Sequence, residues 1–328
     1  MQREQPQFDP FVHDPGRWAH SLPNLAEIML PCLDAAGARS VVEVGAYAGD
    51  LTGGLVEWAA GSGAHVIAVD PTPHASLVRL AEERPELELI REPSLTALAH
   101  LAPADAVIID GDHNHFTVSE ELRLIAAASG PELPLLLFHD VGWPHGRRDD
   151  YYSPDQIPAE HRQPIVEGGG LHPDEPGVTF GGLPYRAPAE REGGAGNGVL
   201  TAVEDFVGER DDLRLAIVPA FFGFGVVWST AAPYAAALAE LLDPWDRNSL
   251  LARLEANRVL HLAESHRQRV HRTFAEQRVA RQEAVLRRLL NSSAFALAER
   301  LSRLRHRAGV ARSESVVSKD EIRRALED

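Results

Sequence analysis

The stretch VVEVGAYAGD, Val41 to Asp50, followed within one βαβ spacing by HVIAVDP, His65 to Pro71, constrains the fold of this chain more than any other feature. An apolar strand that ends in Glu-x-Gly-x-x-x-Gly and runs into a helix leaves backbone amides and a glycine-lined gap where a nucleotide-like ligand can lie against the chain. A second strand ending in an acid, Asp70, then offers a receptor for ribose hydroxyls. The pattern departs from the dinucleotide fingerprint Gly-x-Gly-x-x-Gly, because Glu43 takes the first glycine position and Gly45 and Gly49 are four apart. Glycines in a strand-turn-helix can also serve only to relieve crowding; Asp70 at the matching place in the next strand argues against that plainer account.

Strand and helix signals alternate from about residue 40, the pattern of a doubly wound, mostly parallel α/β sheet. Strands are expected over Ser40 to Gly45, His65 to Asp70, Leu87 to Arg91, Ala104 to Asp110 and Leu133 to His139, each separated from the next by a helical stretch. Leu213 to Val218 and Phe222 to Ser229 lie too close together for a helix between them, so they are expected as an antiparallel final pair joined at Pro219 and Ala220. Residues 1–39 read as a helical lead-in, with Asn24 to Ala36 over the cofactor edge; 40–230 as the main domain; and 231–328 as a helical arm, with helices over Pro233 to Leu242, Arg247 to Leu290 and Ala294 to Arg307. Within the main domain, residues 140–198 are rich in Gly and Pro and leave the carboxyl end of the fifth strand, where open α/β sheets bind ligands, so they read as a substrate cover.

At 328 residues the chain can bury a sizeable core. A single cysteine, Cys32, excludes a disulfide framework and a cysteine-built zinc site; with a polar start and no apolar run of membrane length, the expectation is a cytoplasmic protein. The formal charge of −16 argues against nucleic acid as a partner, although Arg247 to Arg312 holds fifteen Arg against five Glu. That segment reads as an amphipathic arm with a solvated basic face, an extension or dimerisation arm, and the chain is expected to form a homodimer or higher homo-oligomer.

The fourth strand ends in IIDGDHNH, Ile108 to His115, and the fifth in LLLFHDVGWP, Leu135 to Pro144, so one sheet edge receives Asp110, Asp112, His113, His115, His139 and Asp140. Here the chain resembles the class I S-adenosylmethionine-dependent methyltransferases of the Methyltransf_24 type, and through them the metal-dependent O-methyltransferases that act on sugars of macrolide antibiotics. The resemblance runs from about Val41 to Ser229. It implies a seven-stranded Rossmann-like methyltransferase sheet and S-adenosyl-L-methionine as cofactor. Gly45, Ala46, Gly49 and Asp110 would lie along that cofactor, Asp70 and Pro71 at its ribose, Ser94 (with Glu92) at its adenosine, and Glu43 would order the loop. It further implies that Asp110 and Asp140 correspond to metal ligands and His113 to the catalytic base, while His139 stands where the sugar enzymes have Glu. Magnesium prefers oxygen ligands and imidazole suits zinc, iron, manganese, nickel or copper. Two arrangements therefore stay open: a divalent ion on Asp110, His139 and Asp140, or a metal-free base of His113, His139 and Asp140.

Among the other polar clusters, Asp112 reads as a loop-turning residue and His115 as the cap of the next helix. GRRDDYY, Gly146 to Tyr152, is expected in the cover, its guanidinium and phenol groups placed to grip an acceptor, and GNGVLTAVEDF, Gly196 to Phe206, as a loop closing onto a helix. The activity implied is methylation of a hydroxyl on a small molecule, a sugar or secondary metabolite. Rival readings are N- or C-methylation on the same scaffold, a non-catalytic scaffold acting through the basic arm, and a nicotinamide oxidoreductase, which Glu43 and the glycine spacing oppose.

Overall fold

The computed structural model describes residues 22–130, 132–308 and 317–327; the part of the lead-in before Leu22 lies outside the described residues. After a single 3-10 turn, Leu22–Leu25, the first element is helix α1 (Ala26–Ala36), which buries Ile28, Met29, Cys32 and Leu33 and stops where Gly37 takes a left-handed φ of 63°. The alternation then follows as expected: β1 (Ser40–Val44), α2 (Asp50–Ser62), β2 (His65–Val69), α3 (Ala75–Glu83), β3 (Leu87–Ile90), α4 (Ser94–Ala97), β4 (Ala106–Ile109), α5 (His115–Ser129) and β5 (Leu135–His139). Most strands are shorter than the sequence suggests. Gly45, Asp70 and Asp110 fall just outside the ladders, as loop residues.

Seven strands form one sheet in the order β3-β2-β1-β4-β5-β10-β9, where β9 is Leu213–Val218 and β10 is Phe224–Ser229. The first five are parallel; β10 runs antiparallel to both β5 and β9. Successive side chains of a strand serve opposite faces. Val41, Val66, Ile108 and Leu137 join the core beneath α1 and α2, and Val42, Val44, Ile109 and Phe138 join the core beneath α5 and the helix α6 (Val199–Gly208). Both faces are covered, which is why β4 and β5 are buried along their whole length and apolar apart from His139.

Register places the site. Val44 pairs with both Val69 and Ile109, and Ile109 pairs with Phe138, so the loops after β1, β2, β4 and β5 leave at one level. The chain steps from β1 outward to β2 and β3, then back across to β4, so the loops after β1 and β4 part at a switch point, where open α/β sheets take ligands. Because β10 is antiparallel, it starts rather than ends at this edge: Phe224 pairs with His139.

Residues 140–198 are not a plain loop. They contain a three-stranded antiparallel sheet, β6 (Gly170–His172), β7 (Glu175–Thr179) and β8 (Leu183–Pro184), and are tied to the body at Asp149. That carboxylate accepts the backbone N–H of His115 at 2.8 Å and of Gly198 at 2.6 Å, and the Tyr151 hydroxyl at 2.6 Å. Short-range sequence patterning cannot reveal these ties to the body, because the Asp149 bonds to His115 and Gly198 join residues 34 and 49 positions apart.

Helices α7 (Ala235–Leu242), α8 (Ser249–Leu290), α9 (Ser293–Arg307) and α10 (Lys319–Glu327) complete the chain. The described chain through Ser265 forms one compact unit and the residues from His266 a second, so the helical region expected from residue 231 is divided between them. In the first unit Leu238 and Leu242 join the core beneath α1, and Val259 and Ala263 are buried. In the second, Leu297, Leu301 and Leu304 form an exposed apolar row along α9. No helix among the described residues is long and apolar enough to cross a membrane.

Candidate active site

At the carboxyl edge lies a cavity of about 590 Å³. Its walls join the loop after β1 (Gly45, Ala46, Tyr47, Ala48) to Glu43, to the acid-imidazole group Asp110, His113, His139 and Asp140, and to residues from the insertion. Gly45 is required where it stands. Its φ is +90°, and a Cβ there would meet the Asp110 carbonyl oxygen at 2.1 Å, so only a residue without a side chain lets these two loops touch. Gly49, φ +82°, starts α2 and packs on Leu77.

Asp70 takes the backbone N–H groups of Tyr47 and Thr72, each at 2.8 Å, fixing the loop after β1 to the loop after β2. Glu43 is buried beneath that loop, and burial pushes its carboxyl up to about 8, with Thr52 nearby opposing the shift. Glu43, Gly45, Ala46 and Asp110 line the cavity, whereas Gly49, Asp70, Pro71 and Ser94 lie outside its wall. Ser94 opens α4, beside the buried Glu121. Glu121 sits beneath Gly111 without a directed hydrogen bond to either carboxyl oxygen, and burial pushes it, too, up to about 8.

A folded-state value above the ordinary carboxyl value of 4.5 means that the native protein holds this proton more tightly than the unfolded chain. The associated stability is fully present below pH 4.5 and is lost as pH rises through about 8. Glu121→Gln, neutral at every pH, is expected to flatten that decline and to raise stability at pH 8 by roughly 1–3 kcal/mol. Urea unfolding of both proteins at pH 5 and pH 8 measures it.

The center of the site is a knot of two carboxylates and two imidazoles. His139 Nε2 donates to the Phe221 carbonyl at 2.8 Å, which fixes the proton on that nitrogen. Nδ1 then points between Asp110 Oδ1 at 3.1 Å and Asp140 Oδ2 at 3.2 Å. His113 Nε2 lies 2.9 Å from Asp140 Oδ2, too badly angled for a directed hydrogen bond, and 3.9 Å from Asp110 Oδ1. Burial alone would lower both imidazoles, but the Asp140 charge prevails and holds them well above their usual range. Burial would raise Asp140, and the same two imidazoles hold it well below the usual carboxylate range. Asp140 itself adopts φ 57°, a left-handed conformation rare outside glycine and concentrated at functional sites.

Two geometries suit His139 Nδ1 in this position: a second proton donated between the carboxylates, or a lone pair contributed to a cation. One ligand atom each from Asp110, His139 and Asp140 lies within 4.8 Å of the others, so the donor set fits a divalent ion, and its imidazole fits manganese, iron or zinc better than magnesium.

Several residues of this wall escape a reading by motif. His145, only 4% exposed, stacks on His113 with ring centroids 4.5 Å apart; burial, and then the His113 charge, lower it to about 3, so it stays neutral. Tyr185 meets His145 edge-on at 4.9 Å, and the half-exposed Tyr152 tilts over His113 at 5.6 Å. Asp150, Tyr152 and Tyr185 come from the insertion, and Phe222 from the turn before β10. The His in GWPHG offered a local signal, and Tyr152 belongs to the GRRDDYY run expected in the cover; Tyr185 and Phe222 offered none, since only tertiary folding brings them here.

Other residues expected at the mouth are structural. Arg148 is buried and donates to the carbonyls of Ala189 at 2.6 Å and Pro176 at 2.7 Å, while Arg147 pairs with Glu204 on α6 at 2.7 Å, so neither guanidinium grips an acceptor. The cap of α5 is Asn114, whose side chain accepts from Thr117 N–H, and not His115, which pairs with Asp205 at 2.9 Å. Asp112 accepts from Thr117 Oγ1 and Tyr152 N–H, as a loop-turning carboxylate does. The turn before β10 is made by Phe221, Phe222 and Gly223, all at positive φ, and extends beyond Pro219 and Ala220.

Sheet order, the glycine loop at the switch point and the antiparallel last hairpin make the seven-stranded, Rossmann-like sheet of the class I methyltransferase fold. Residues 42–141 match the family model Methyltransf_24, described as a methyltransferase domain. Among solved structures, the chain is similar to a Podospora anserina methyltransferase, PaMTH1, bound to SAH, with 15% identity, 67% of this chain and 83% of that chain covered, and a TM-score of 0.43. It is also similar to the O-methyltransferase TomG of Streptomyces achromogenes, involved in tomaymycin synthesis and solved with SAM (17% identity, 64% and 81% covered, TM-score 0.38). A third is an O-methyltransferase of Bacillus cereus in complex with SAH (13%, 64% and 83%, 0.39). No curated protein matches the chain.

Proposed function

We propose that this domain transfers a methyl group from S-adenosylmethionine to a hydroxyl oxygen of a small molecule, a sugar or another secondary metabolite, with His113 as base. The observation that carries the reading is the shared cavity, which puts the loop after β1 and the Asp110–His113–His139–Asp140 group on one wall system. S-adenosylmethionine, when bound, supplies an electrophilic methyl group on a sulfonium. Gly45 and Ala46 let it lie against the backbone, Glu43 stiffens the loop from beneath, and Asp70, already anchoring Tyr47 and Thr72, keeps lone pairs for ribose hydroxyls. In the transfer the acceptor oxygen forms a bond to the methyl carbon as the carbon–sulfur bond breaks, and the hydroxyl proton passes to His113. The walls must hold oxygen and carbon in line, roughly 3–3.5 Å apart beforehand.

A divalent cation, when bound by Asp110, His139 and Asp140, offsets the two carboxylates and makes the acceptor hydroxyl more acidic. His113, no longer facing two bare carboxylates, then loses its proton at a lower pH and becomes an effective neutral base. The second reading is a metal-free base, favored by the fit of an imidazolium at His139 between Asp110 and Asp140.

The test is transfer of labelled methyl from S-adenosylmethionine to a panel of hydroxylated metabolites, before and after chelation. Loss of turnover on chelation and recovery with Mn²⁺ supports the cation; turnover indifferent to both supports the metal-free base; no transfer to any hydroxyl, with transfer to amines, overturns the choice of oxygen. Asp70→Ala is expected to weaken S-adenosylhomocysteine about 10–100-fold, the loss of one or two charge-assisted hydrogen bonds. Calorimetry checks it, and an unchanged Kd would remove the ribose role.

A further inference from the structure

The turn before β10 carries three successive residues at positive φ: Phe221 (49°), Phe222 (67°) and Gly223 (91°). Bulky aromatic residues hold that region only where their surroundings over-determine it. Two clamps do so. From the sheet side, Gly142 N–H donates to the Phe222 carbonyl at 2.6 Å. From helix α8, Glu255 Oε1 accepts the Phe222 N–H at 2.7 Å, and the Arg258 guanidinium sits over both rings, 4.6 Å from the Phe222 centroid and 5.4 Å from that of Phe221. Glu255 and Arg258 also hold each other, with Arg258 Nε 2.6 Å from Oε2 and Nη2 2.7 Å from Oε1.

What this turn presents to the site is the Phe221 carbonyl, the acceptor of His139 Nε2–H. We infer that Glu255 and Arg258 are positioning residues: a carboxylate–guanidinium pair on α8 that fixes the Phe221–Phe222 turn and thereby aims His139 Nδ1 at the gap between Asp110 and Asp140. The inference rests on reading Asp110, His139 and Asp140 as the working group. Neither residue touches an atom of that group, and neither belongs to the matched segment 42–141; the helical region thus supplies part of the support on which the site stands. A bare structural role would require only that the turn be filled. The directed bonds to Phe222 N–H and between Glu255 and Arg258 restrict where the Phe221 carbonyl points, and an imidazole bonded there cannot rotate without losing its acceptor.

The test uses full-length protein with ¹⁵N-labelled histidine. Glu255→Ala and Arg258→Met are compared with wild type and with Arg253→Gln, an exposed position on the same helix. Both site variants are expected to speed solvent exchange of the His139 Nε2 proton at least about tenfold and to weaken Mn²⁺ binding about 10–100-fold, the usual cost of losing a partner behind a ligand. Their melting temperature and S-adenosylhomocysteine affinity are expected to stay near those of Arg253→Gln. Glu255→Gln, which keeps an acceptor for Phe222 N–H but loses the charge facing Arg258, is expected to fall between, and it carries the test with Arg258→Met if Glu255→Ala does not fold. Folded variants with an unchanged His139 proton overturn the inference. Faster exchange in a protein that never binds Mn²⁺ upholds it and overturns the cation instead.

Discussion

His113→Ala is expected to lower kcat by about 10²–10⁴-fold, the range for removal of a general base. S-adenosylhomocysteine affinity is expected to change by less than about threefold, because a base that acts on the acceptor proton contributes to the transition state and little to cofactor binding. The geometry is specific about the cause: His113 stands 2.9 Å from Asp140 Oδ2 and is stacked on a neutral His145, so its ring is held in place, and burial is outweighed by the nearby carboxylates, Asp140 foremost, in raising its proton affinity. The pH dependence has a defined sign. Protonated His113 cannot accept a proton, and Asp140 holds the imidazole well above its usual range, so activity falls as pH drops through that raised value. A cation at Asp110, His139 and Asp140 withdraws the negative charge, and the limb then moves toward lower pH. Steady-state kinetics from pH 6 to 10, with and without Mn²⁺, measure both effects. Full activity in His113→Ala removes it as the base.

Gly45→Ala is expected to be the most damaging substitution of the cofactor loop. The new Cβ would lie 2.1 Å from the Asp110 carbonyl oxygen and 2.5 Å from its carbon, and the residue would keep a φ of +90°. Neither neighbor is a flexible side chain that can swing away, so the loops after β1 and β4 must separate. We expect a loss of about 2–4 kcal/mol in stability and of more than about 100-fold in S-adenosylhomocysteine affinity, since both loops line the cavity. Gly53→Ala is the matched control: it lies inside α2 with open space around its Cβ position, and is expected to gain about 0.5–1 kcal/mol. Denaturant unfolding and calorimetry on the two variants separate local crowding from a general cost of filling a glycine.

The parts of this molecule legible in its sequence are those governed by short spacings. Apolar strands spaced by helices gave the parallel sheet, the close pair read at Leu213 to Val218 and Phe222 to Ser229 gave the antiparallel hairpin, and strand ends placed Asp110, His139 and Asp140 at one edge, where they meet. Their short contacts could not be read, because they depend on the left-handed backbone at Asp140 and on a carbonyl 82 residues away, that of Phe221. The same holds for the insertion. Its Gly and Pro content suggested a cover without regular structure, yet Asp149 and Arg148 spend their charges on backbone groups far along the chain and hold a small sheet in place. Charged residues in a run such as GRRDDYY look alike as letters; whether each faces a ligand or a buried carbonyl is decided by tertiary structure alone. Glu121 is a further case: it shares the face of α5 that carries Val118, Leu122 and Ile125, and packing buries its carboxyl with them.

The central claim is adjacency: the donor pocket and the acid-imidazole group occupy one cavity. Titration of ¹⁵N-histidine-labelled protein with S-adenosylhomocysteine tests it most directly. The account predicts that His113, His139 and His145 shift together along a single binding curve while His65, at the far end of β2 and outside the cavity wall, stays still. Saturable binding that leaves those three resonances unmoved, or no binding at all, would contradict it.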